Sequence, residues 1–333
     1  MMSTYMLFNM PPWSGWQFLH DTEYEISKIE FVYQKKHLQS IKELIQACND
    51  CIKRSDENDT IVCAYDLMGV LCWWLCKLQN KKRKIIAINI LLKTKNTLKN
   101  RILKQLYRTA LKSKSFYATV TSTEYGQWIN RQLGISTRYT LLHDTYRGGY
   151  TECTGLEVRH NSVFCGGRNG RDWNLLTQIA ERMPDTIFNF AMPQQCFEEY
   201  KTCFGKNVNA KFDIPESEFA KLMLESELMV MPLNTEAPAG LIVLFHAAGN
   251  NKLVITSNTV TTREYFGGNK GVLCGNSIDE WVKQIKYWQE HPDKAAENAN
   301  RCRFFLENEC SERNYAETLL RVIQKVNEET KDD

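Results

Sequence analysis

Four residues in the run SVFCGGRNGRDWNLL have the types and spacing that hold a phosphate: Gly166, Gly167, Arg168 and Arg171. An apolar, strand-like stretch enters the two glycines, passes Arg168 and gives way to a helical pattern near Arg171 or Asp172. Glycine lets the backbone approach an anion, a helix N-terminus offers N–H groups and a positive dipole end, and arginine adds charge-assisted hydrogen bonds. That combination is chemistry for a diphosphate. The alternative is a tight turn flanked by solvated arginines. If the Arg171 guanidinium is held for a ligand, Arg171→Ala lowers nucleoside diphosphate affinity at least roughly tenfold and leaves the melting temperature nearly unchanged.

A second run, MPLNTEAPAGLIVLFHAAGNNKLVITSNTVTTREYF, places Asn234, Thr235 and Glu236 after an apolar strand and ahead of Pro238, a favoured first-turn residue. The helix start at Ala239, Gly240 and Leu241 exposes backbone N–H groups beside side chains short enough to admit a ligand. His246 lies seven residues beyond Ala239, about two turns along and on the same face. Read from the residues alone, His246 is a packing residue more readily than a ligand contact. Glu264 follows the next strand at another strand-to-helix loop, where a solvated carboxylate is the simpler reading.

Other chemistries lack their residues. The glycine loop reads G-G-x-x-G, not G-x-G-x-x-G, and TIFNFAM ends without the acidic residue that would hold a ribose in a dehydrogenase. No G-K-S or G-K-T occurs, so a P-loop is excluded, and no Asp-x-Asp is present. Cys48 and Cys51 form one C-x-x-C without a second pair at zinc-ligand spacing, and the six histidines are dispersed; no metal is expected. The twelve cysteines are scattered, mostly in apolar segments, as buried thiols in a reducing compartment would be.

In the first half, Asp66 ends the run TIVCAYD, where it is either a general base for an acceptor or a cap for the following helix, the cap being the commoner role. His20, Ser122 and Glu124 are further candidates of no stronger claim. The helical pattern Thr97 to Lys114 carries Leu98, Ile102, Leu106 and Ala110 on one face and Lys104, Arg108 and Lys112 on another. From Lys77 to Lys114 there are thirteen Lys and Arg and no acid, while the rest of the chain carries 29 basic against 39 acidic residues. Such a segment is either a solvated face or a surface for anionic lipid, which attracts each basic residue by about 1 kcal/mol. Nucleic acid is disfavoured, because exposed aromatics and a binding motif are missing.

The elements that must position these residues follow from hydropathy. SVFCGG, TIFNFAM, VNAKFD, ELMVMPL, KLVITS and GVLCG are continuous apolar strands separated by helical patterns starting near Asp172, Gln194, Pro215, Ala239 and Val260. Continuous hydrophobicity means both faces are covered, as in a parallel sheet between helices. ISKIEFVY, TIVCAYD, KIIAINILL, YATVTS and RYTLLH repeat the theme in the first half, with helices near Lys36–Arg54, Leu67–Leu78, Thr97–Lys114 and Thr123–Leu133. The chain of 333 residues therefore reads as α/β, two Rossmann-like doubly wound domains. The first spans 1–145 and the second 146–310, with a linker at Asp144 to Asn161, and a helix in 311–333 packs back on the first. No apolar run approaches the roughly 18 residues of a membrane span, and MMSTYMLFNMPPWSGWQFLHD lacks the features of a secretory leader. A cytoplasmic location is expected.

The pieces VFCGGRNGRDW, ELMVMPL, EAPAGLIVLFHAAG and VITSNTVTTREYF resemble GT-B fold glycosyltransferases of the family-4-like kind (glycosyltransferase group 1), notably bacterial enzymes of surface-polysaccharide assembly. The resemblance covers about Ser162 to Gly275 and extends faintly to TVTSTEYGQWINRQLGI. It implies two domains facing across a cleft, a nucleotide-sugar donor on the second, and a saccharide or lipid-linked saccharide acceptor on the first. The diphosphate role maps onto Gly166, Gly167, Arg168 and Arg171, and the helix-start role onto Ala239 to Leu241. The family has two glutamates with seven residues between them; Glu236 matches the first, near the donor sugar, and the second falls at Leu244, which cannot bond a ribose hydroxyl. His246, two residues further, can form such a bond, but a helix turns it to another face. The expected activity is metal-independent sugar transfer without a cofactor, at the inner face of the cell membrane. A non-catalytic nucleotide-sugar-binding subunit and a nucleotide-sugar epimerase are the rival readings.

Overall fold

Short apolar runs pair as parallel strands, and the polar-faced stretches between them become the covering helices. The computed structural model describes residues 3–12, 14–20, 29–93, 97–151 and 156–329. The chain divides into two units, Met1–Asp144 with Glu312–Asp333, and Thr145–Ser311.

In the first unit, β1 (Thr4–Leu7), β2 (Ile29–Val32), β3 (Thr60–Cys63), β4 (Lys84–Ala87), β5 (Phe116–Val120) and β6 (Thr140–Leu141) form one sheet in the order β2-β1-β3-β4-β5-β6. Every pair is parallel. The helices are α1 (Ile41–Arg54), α2 (Asp66–Leu78), α3 (Leu98–Leu111) and α4 (Thr123–Leu133). Their starts are chemically marked. Ser40 Oγ accepts from Glu43 N at 3.2 Å while Glu43 Oε2 accepts from Ser40 N at 3.0 Å, a capping box for α1. Ser122 Oγ likewise accepts from Tyr125 N at 3.3 Å at the start of α4.

Two features of this unit differ from the sequence reading. The run TYML, not singled out as a strand, is β1, and it lies between β2 and β3 where the strand order reverses. Its four residues lack β-branched apolar side chains and run at once into Asn9 and two prolines, so no strand pattern develops. RYTLLH pairs only through Thr140–Leu141, and KIIAINILL leaves the sheet after Ala87. Ile26–Lys28 of ISKIEFVY lie outside the described residues.

The second unit holds β7 (Arg159–Gly166), β8 (Ile187–Met192), β9 (Val208–Phe212), β10 (Ser226–Met231), β11 (Val254–Ser257) and β12 (Val272–Cys274). They pair in parallel in the order β12-β11-β10-β7-β8-β9. α5 (Trp173–Glu181), α6 (Gln194–Tyr200), α7 (Glu216–Glu225), α8 (Leu241–Gly249), α9 (Thr262–Phe266), α10 (Ile278–Glu290) and α11 (Pro292–Glu309) cover it. Phe164, Phe188, Phe190, Val230, Ile255 and Trp281 are fully buried at its centre. The order reverses between β7 and β10, the switch point beyond which open α/β sheets bind ligands.

α12 (Glu312–Glu328) belongs to the first unit. Its Tyr315, Leu319, Ile323 and Val326 are buried with Met6, Phe8, Val62 and Ile86 of that sheet. Asn327 Oδ1 accepts from Thr60 Oγ1 at 2.6 Å, and the Val326 carbonyl accepts from Lys84 Nζ.

α3 turns differently from the sequence expectation. Its buried residues are Asn100, Tyr107, Ala110 and Leu111, whereas Leu98 and Ile102 face solvent. The stripe is shifted because Tyr107 reaches inward to bond Asp66, which sets the helix's rotation. Among the described residues no helix is long and apolar enough to cross a membrane, and the cysteines are free thiols.

Candidate functional site

β7 delivers the chain to Gly166 and Gly167 at the switch point, and the next turn is fastened to the end of β10. Asp172 N donates to Pro232 O at 2.9 Å, Asn234 N to Gly170 O at 3.0 Å and Asn234 Nδ2 to Arg171 O at 3.2 Å. Asp172 then caps α5, its Oδ1 accepting from Leu175 N at 3.0 Å. The loop is thus built from both sides of the switch.

Arg171 is 7% exposed. Its Nε donates to Gly166 O at 2.9 Å and its Nη1 to Asn169 O at 2.5 Å. These bonds use two of the five N–H groups of a guanidinium. Among the described residues no acidic side chain pairs with it, and burial pulls its pKa down. Against it lies the start of α8. Gly240 has φ +78°, and a Cβ there would stand 2.7 Å from Met231 Sδ and 3.6 Å from Arg171 Cζ. Only glycine fits. Having no side chain, Gly240 leaves the first N–H groups of α8 without a side-chain cap. A buried cation and an uncapped helix N-terminus therefore meet at Gly240, an arrangement that attracts an anion.

Beside them, beyond the ends of β10, β11 and β12, opens a cavity of about 450 Å³ whose lining includes Asp172, Asn234, Glu236, Asn258, Thr259 and Asn276. Amide and hydroxyl groups of this kind both donate and accept, which suits a ligand rich in hydroxyls. Glu236 ties two loops together: its Oε2 accepts from Val260 N at 2.8 Å, and its carbonyl from Thr261 Oγ1 at 2.8 Å. Asn258, Thr259 and Asn276 were not singled out from the sequence, although each follows the apolar run of a strand, where the sheet-end rule points.

The other expected residues divide. Arg168 is exposed and approaches Asp213 at 3.5 Å, too far for a firm bond, so it does not converge with Arg171. Gly167 N donates to Ala191 O at 2.9 Å and is spent within the sheet. The α8 helix begins at Leu241, not Ala239; Leu241 is buried, and Ala239 packs where a Cβ on Gly170 would lie, at 2.8 Å. His246 does not line the cavity. Its ring stacks on Tyr150 at 4.3 Å, its Nδ1 is buried without a partner, and burial pulls its pKa down. Leu244 is buried in the core and does not line the cavity. Glu264 lies in α9 outside the cavity lining, its carbonyl accepting from Lys270 Nζ at 3.3 Å.

In the first unit, Asp66 is 4% exposed at the first position of α2. Its Oδ2 accepts from Tyr107 OH at 2.6 Å and from Leu91 N at 2.9 Å. Burial pushes its pKa up, against those bonds, which pull it down. These contacts give Asp66 a holding role between α2, α3 and the chain after β4. Lys104 is half-buried at a cavity of about 120 Å³ shared with Asp66, whereas Lys112 lines a separate, larger cavity. Arg108 is half-buried with its Nε unpartnered.

A family profile described as glycosyl transferase-like matches residues 168–321. Comparison with curated protein sequences finds no match. Among solved structures, Alr3699/HepE of Anabaena, in complex with UDP and glucose, superposes with a TM-score of 0.69 at 11% identity over 97% of this chain and 100% of that one. WaaG, a glycosyltransferase involved in lipopolysaccharide biosynthesis, gives 0.64 at 12% identity over 98% and 99%. A chain of the GtfA/B complex gives 0.61 at 11% identity over 86% of this chain, which spans 60% of that chain's length. The chain has the GT-B fold of these glycosyltransferase structures: two α/β units, each with a parallel six-stranded sheet.

Proposed function

We propose that the protein is a glycosyltransferase that takes a nucleotide-sugar donor on its second unit and passes the sugar to a saccharide or lipid-linked saccharide in surface-polysaccharide synthesis. The observation that carries this reading is the meeting of the Arg171 guanidinium and the uncapped N-terminus of α8 at Gly240. A buried guanidinium without an acidic partner is costly unless an anion arrives to share the site. A departing nucleoside diphosphate is such an anion, and stabilising its developing charge is the main task in sugar transfer. The adjoining cavity, with Asn234, Asn258 and Thr259, supplies the hydrogen bonds a ribose or hexose requires.

This reading differs from the sequence expectation in its parts. Arg171 and α8 carry the anion role, while Gly167 N and Arg168 drop out. Glu236 sits at the cavity with one carboxylate oxygen engaged, consistent with a place near the donor sugar. We further propose that no metal and no cofactor takes part, and that the enzyme works in the cytoplasm beside the membrane. The acceptor side falls to the first unit, by a group other than Asp66.

Titration calorimetry with a panel of nucleoside diphosphates, UDP first, followed by donor-turnover assays with and without saccharide acceptor and chelator, tests the reading. Binding with acceptor-dependent, chelator-insensitive turnover is expected. Nucleotide affinity without turnover marks a binding subunit, donor conversion without acceptor marks an epimerase, and absence of nucleotide binding overturns the reading.

A further inference from the structure

The end of the basic stretch from Lys77 to Lys114, which the donor site does not use, forms one wall of a cavity of about 960 Å³ in the first unit. The cavity opens at the starting ends of β4, β5 and β6, where Lys84, Phe116 and Thr140 stand. That is the sheet end opposite the one at which open α/β sheets take their usual ligands. Lys112 and Lys114 reach it from the chain after α3, and Arg138 from the chain before β6. Lys325 joins from α12, on one strip with Val322, Val326 and, just past the helix end, Glu329. These four cations are exposed, and among the described residues no acidic side chain lies within ion-pairing distance of any of them. Lys84 is engaged, its Nζ donating to the Val326 carbonyl.

The chain that carries the cations is held in place. Asn130 brackets the residue before Arg138, its Nδ2 donating to Thr137 O at 2.8 Å and its Oδ1 accepting from Thr137 N at 3.2 Å. Thr137 Oγ1 donates to Leu111 O at 2.7 Å, which ties this turn to the end of α3. Beyond Lys114, Ser115 Oγ accepts from Trp73 Nε1 at 3.0 Å. A concave wall of fixed cations focuses positive potential and spares a ligand the cost of ordering the loops.

We propose that this groove binds an anionic saccharide, one bearing carboxylate or phosphate groups, with Lys112, Lys114, Arg138 and Lys325 meeting its charges. Saccharide suits the rest of the lining. Ser136 and Thr140 bring hydroxyls, and Glu329, which accepts from Tyr117 OH at 2.7 Å, keeps a second carboxylate oxygen for a sugar hydroxyl while repelling a bare phosphate chain. Single-stranded nucleic acid suits it poorly: Tyr117 and Tyr139 are half-buried, with hydroxyls bonded to Glu329 and Asn130, and give bases no open stacking platform. A bilayer suits it no better, because the cations line a hollow and the large exposed apolar side chains among the described residues all lie elsewhere. The proposal deepens the transferase reading and rests on it for its purpose: a charged polymer held here stays with the enzyme between sugar additions. The groove itself is independent of the donor site.

Calorimetry of the full chain with hexagalacturonate, with neutral maltohexaose, with inorganic tripolyphosphate and with an oligothymidylate tests it. Hexagalacturonate is expected to bind at least about tenfold tighter than each of the others and to weaken as salt rises. The double variant Lys114→Gln with Arg138→Gln is expected to lower that affinity at least about tenfold, with melting temperature and UDP affinity unchanged, since both side chains are exposed. Failure to bind hexagalacturonate overturns the proposal, as does binding that survives the double variant. Equal or tighter binding of tripolyphosphate or oligothymidylate overturns it in favour of a polyphosphate or nucleic-acid groove, and a dimer in sedimentation velocity that the double variant disperses overturns it in favour of a second copy of the chain. UDP titration of the same samples separates the two readings: intact nucleotide affinity without saccharide binding removes only the groove, and saccharide binding without nucleotide affinity removes only the transferase reading.

Discussion

The guanidinium of Arg171 occupies the space a side chain on Gly167 would need: a Cβ built on Gly167 would stand 2.1 Å from Nη2. Gly167 also has φ +112°, a conformation that disfavours any other residue. Gly167 thus serves the arginine first and the ligand through it, whereas the space beside Gly166 is taken by Phe219 and Phe164. Gly167→Ala is expected to displace the guanidinium, to cost about 1–3 kcal/mol of stability through backbone strain and to lower UDP affinity at least about tenfold. Calorimetry and thermal melts on the same sample check both effects. Unchanged UDP affinity with a lowered melting temperature would separate the loop from the ligand.

Arg171→Ala is expected to destabilise the second unit, contrary to the expectation drawn from the sequence. The side chain is buried and closes the turn by bonding Gly166 O and Asn169 O. Its removal strands two carbonyls and opens a cavity, a loss of about 1–3 kcal/mol. Arg171→Lys keeps the charge but cannot reproduce the planar fork. It is expected to retain more stability than alanine and less affinity for UDP than wild type. Chemical denaturation gives the first quantity and calorimetry the second.

Leu244→Glu, which would place a carboxylate at the position of the resembling family's second glutamate, is expected to destabilise the protein and not to improve donor binding. Leu244 is fully buried against the second core, so a carboxylate there is desolvated without a partner. Denaturation midpoints should fall well below wild type, whereas Leu244→Met, close in volume, should stay within about 1.5 kcal/mol. Wild-type stability in Leu244→Glu with tighter UDP binding would show that α8 rotates when it binds its ligand.

Much of this architecture is written in local hydropathy. The six strands and the helices of the second unit follow continuous apolar runs and capped amphipathic stretches, because burial on both faces leaves little ambiguity of period. β1 escapes the same reading because TYML is short and has no β-branched apolar side chain, and its place in the sheet is decided by non-local pairing with β2 and β3. The site is legible only as a neighbourhood. Residue types around Gly166 and Ala239 mark two sheet-end loops, yet which groups remain available depends on bonds no local pattern encodes. Gly167 N goes to Ala191, Arg171 turns inward, and Arg168 turns out. On α3, a one-residue shift of the buried stripe moves Leu98 and Ile102 from the expected core to the surface, and the Tyr107 bond to Asp66 is what sets that rotation.

That same bond separates a structural carboxylate from a catalytic one. Burial raises the pKa of Asp66 above its ordinary value near 3.9. Between the unfolded and the raised folded value, the native state holds the extra proton, so stability falls as pH rises through that window and the penalty is complete above it. Asp66→Asn removes the titration and keeps an oxygen that can accept from Tyr107 OH and Leu91 N. Its stability relative to wild type is therefore expected to grow as pH rises from about 4 and then to level off. Transfer activity is expected to stay within about threefold of wild type, since the carboxylate already serves two protein donors. Denaturation across pH and donor turnover at neutral pH check the two halves separately. A drop in turnover of about a hundredfold or more, with the fold intact, would restore Asp66 as the base.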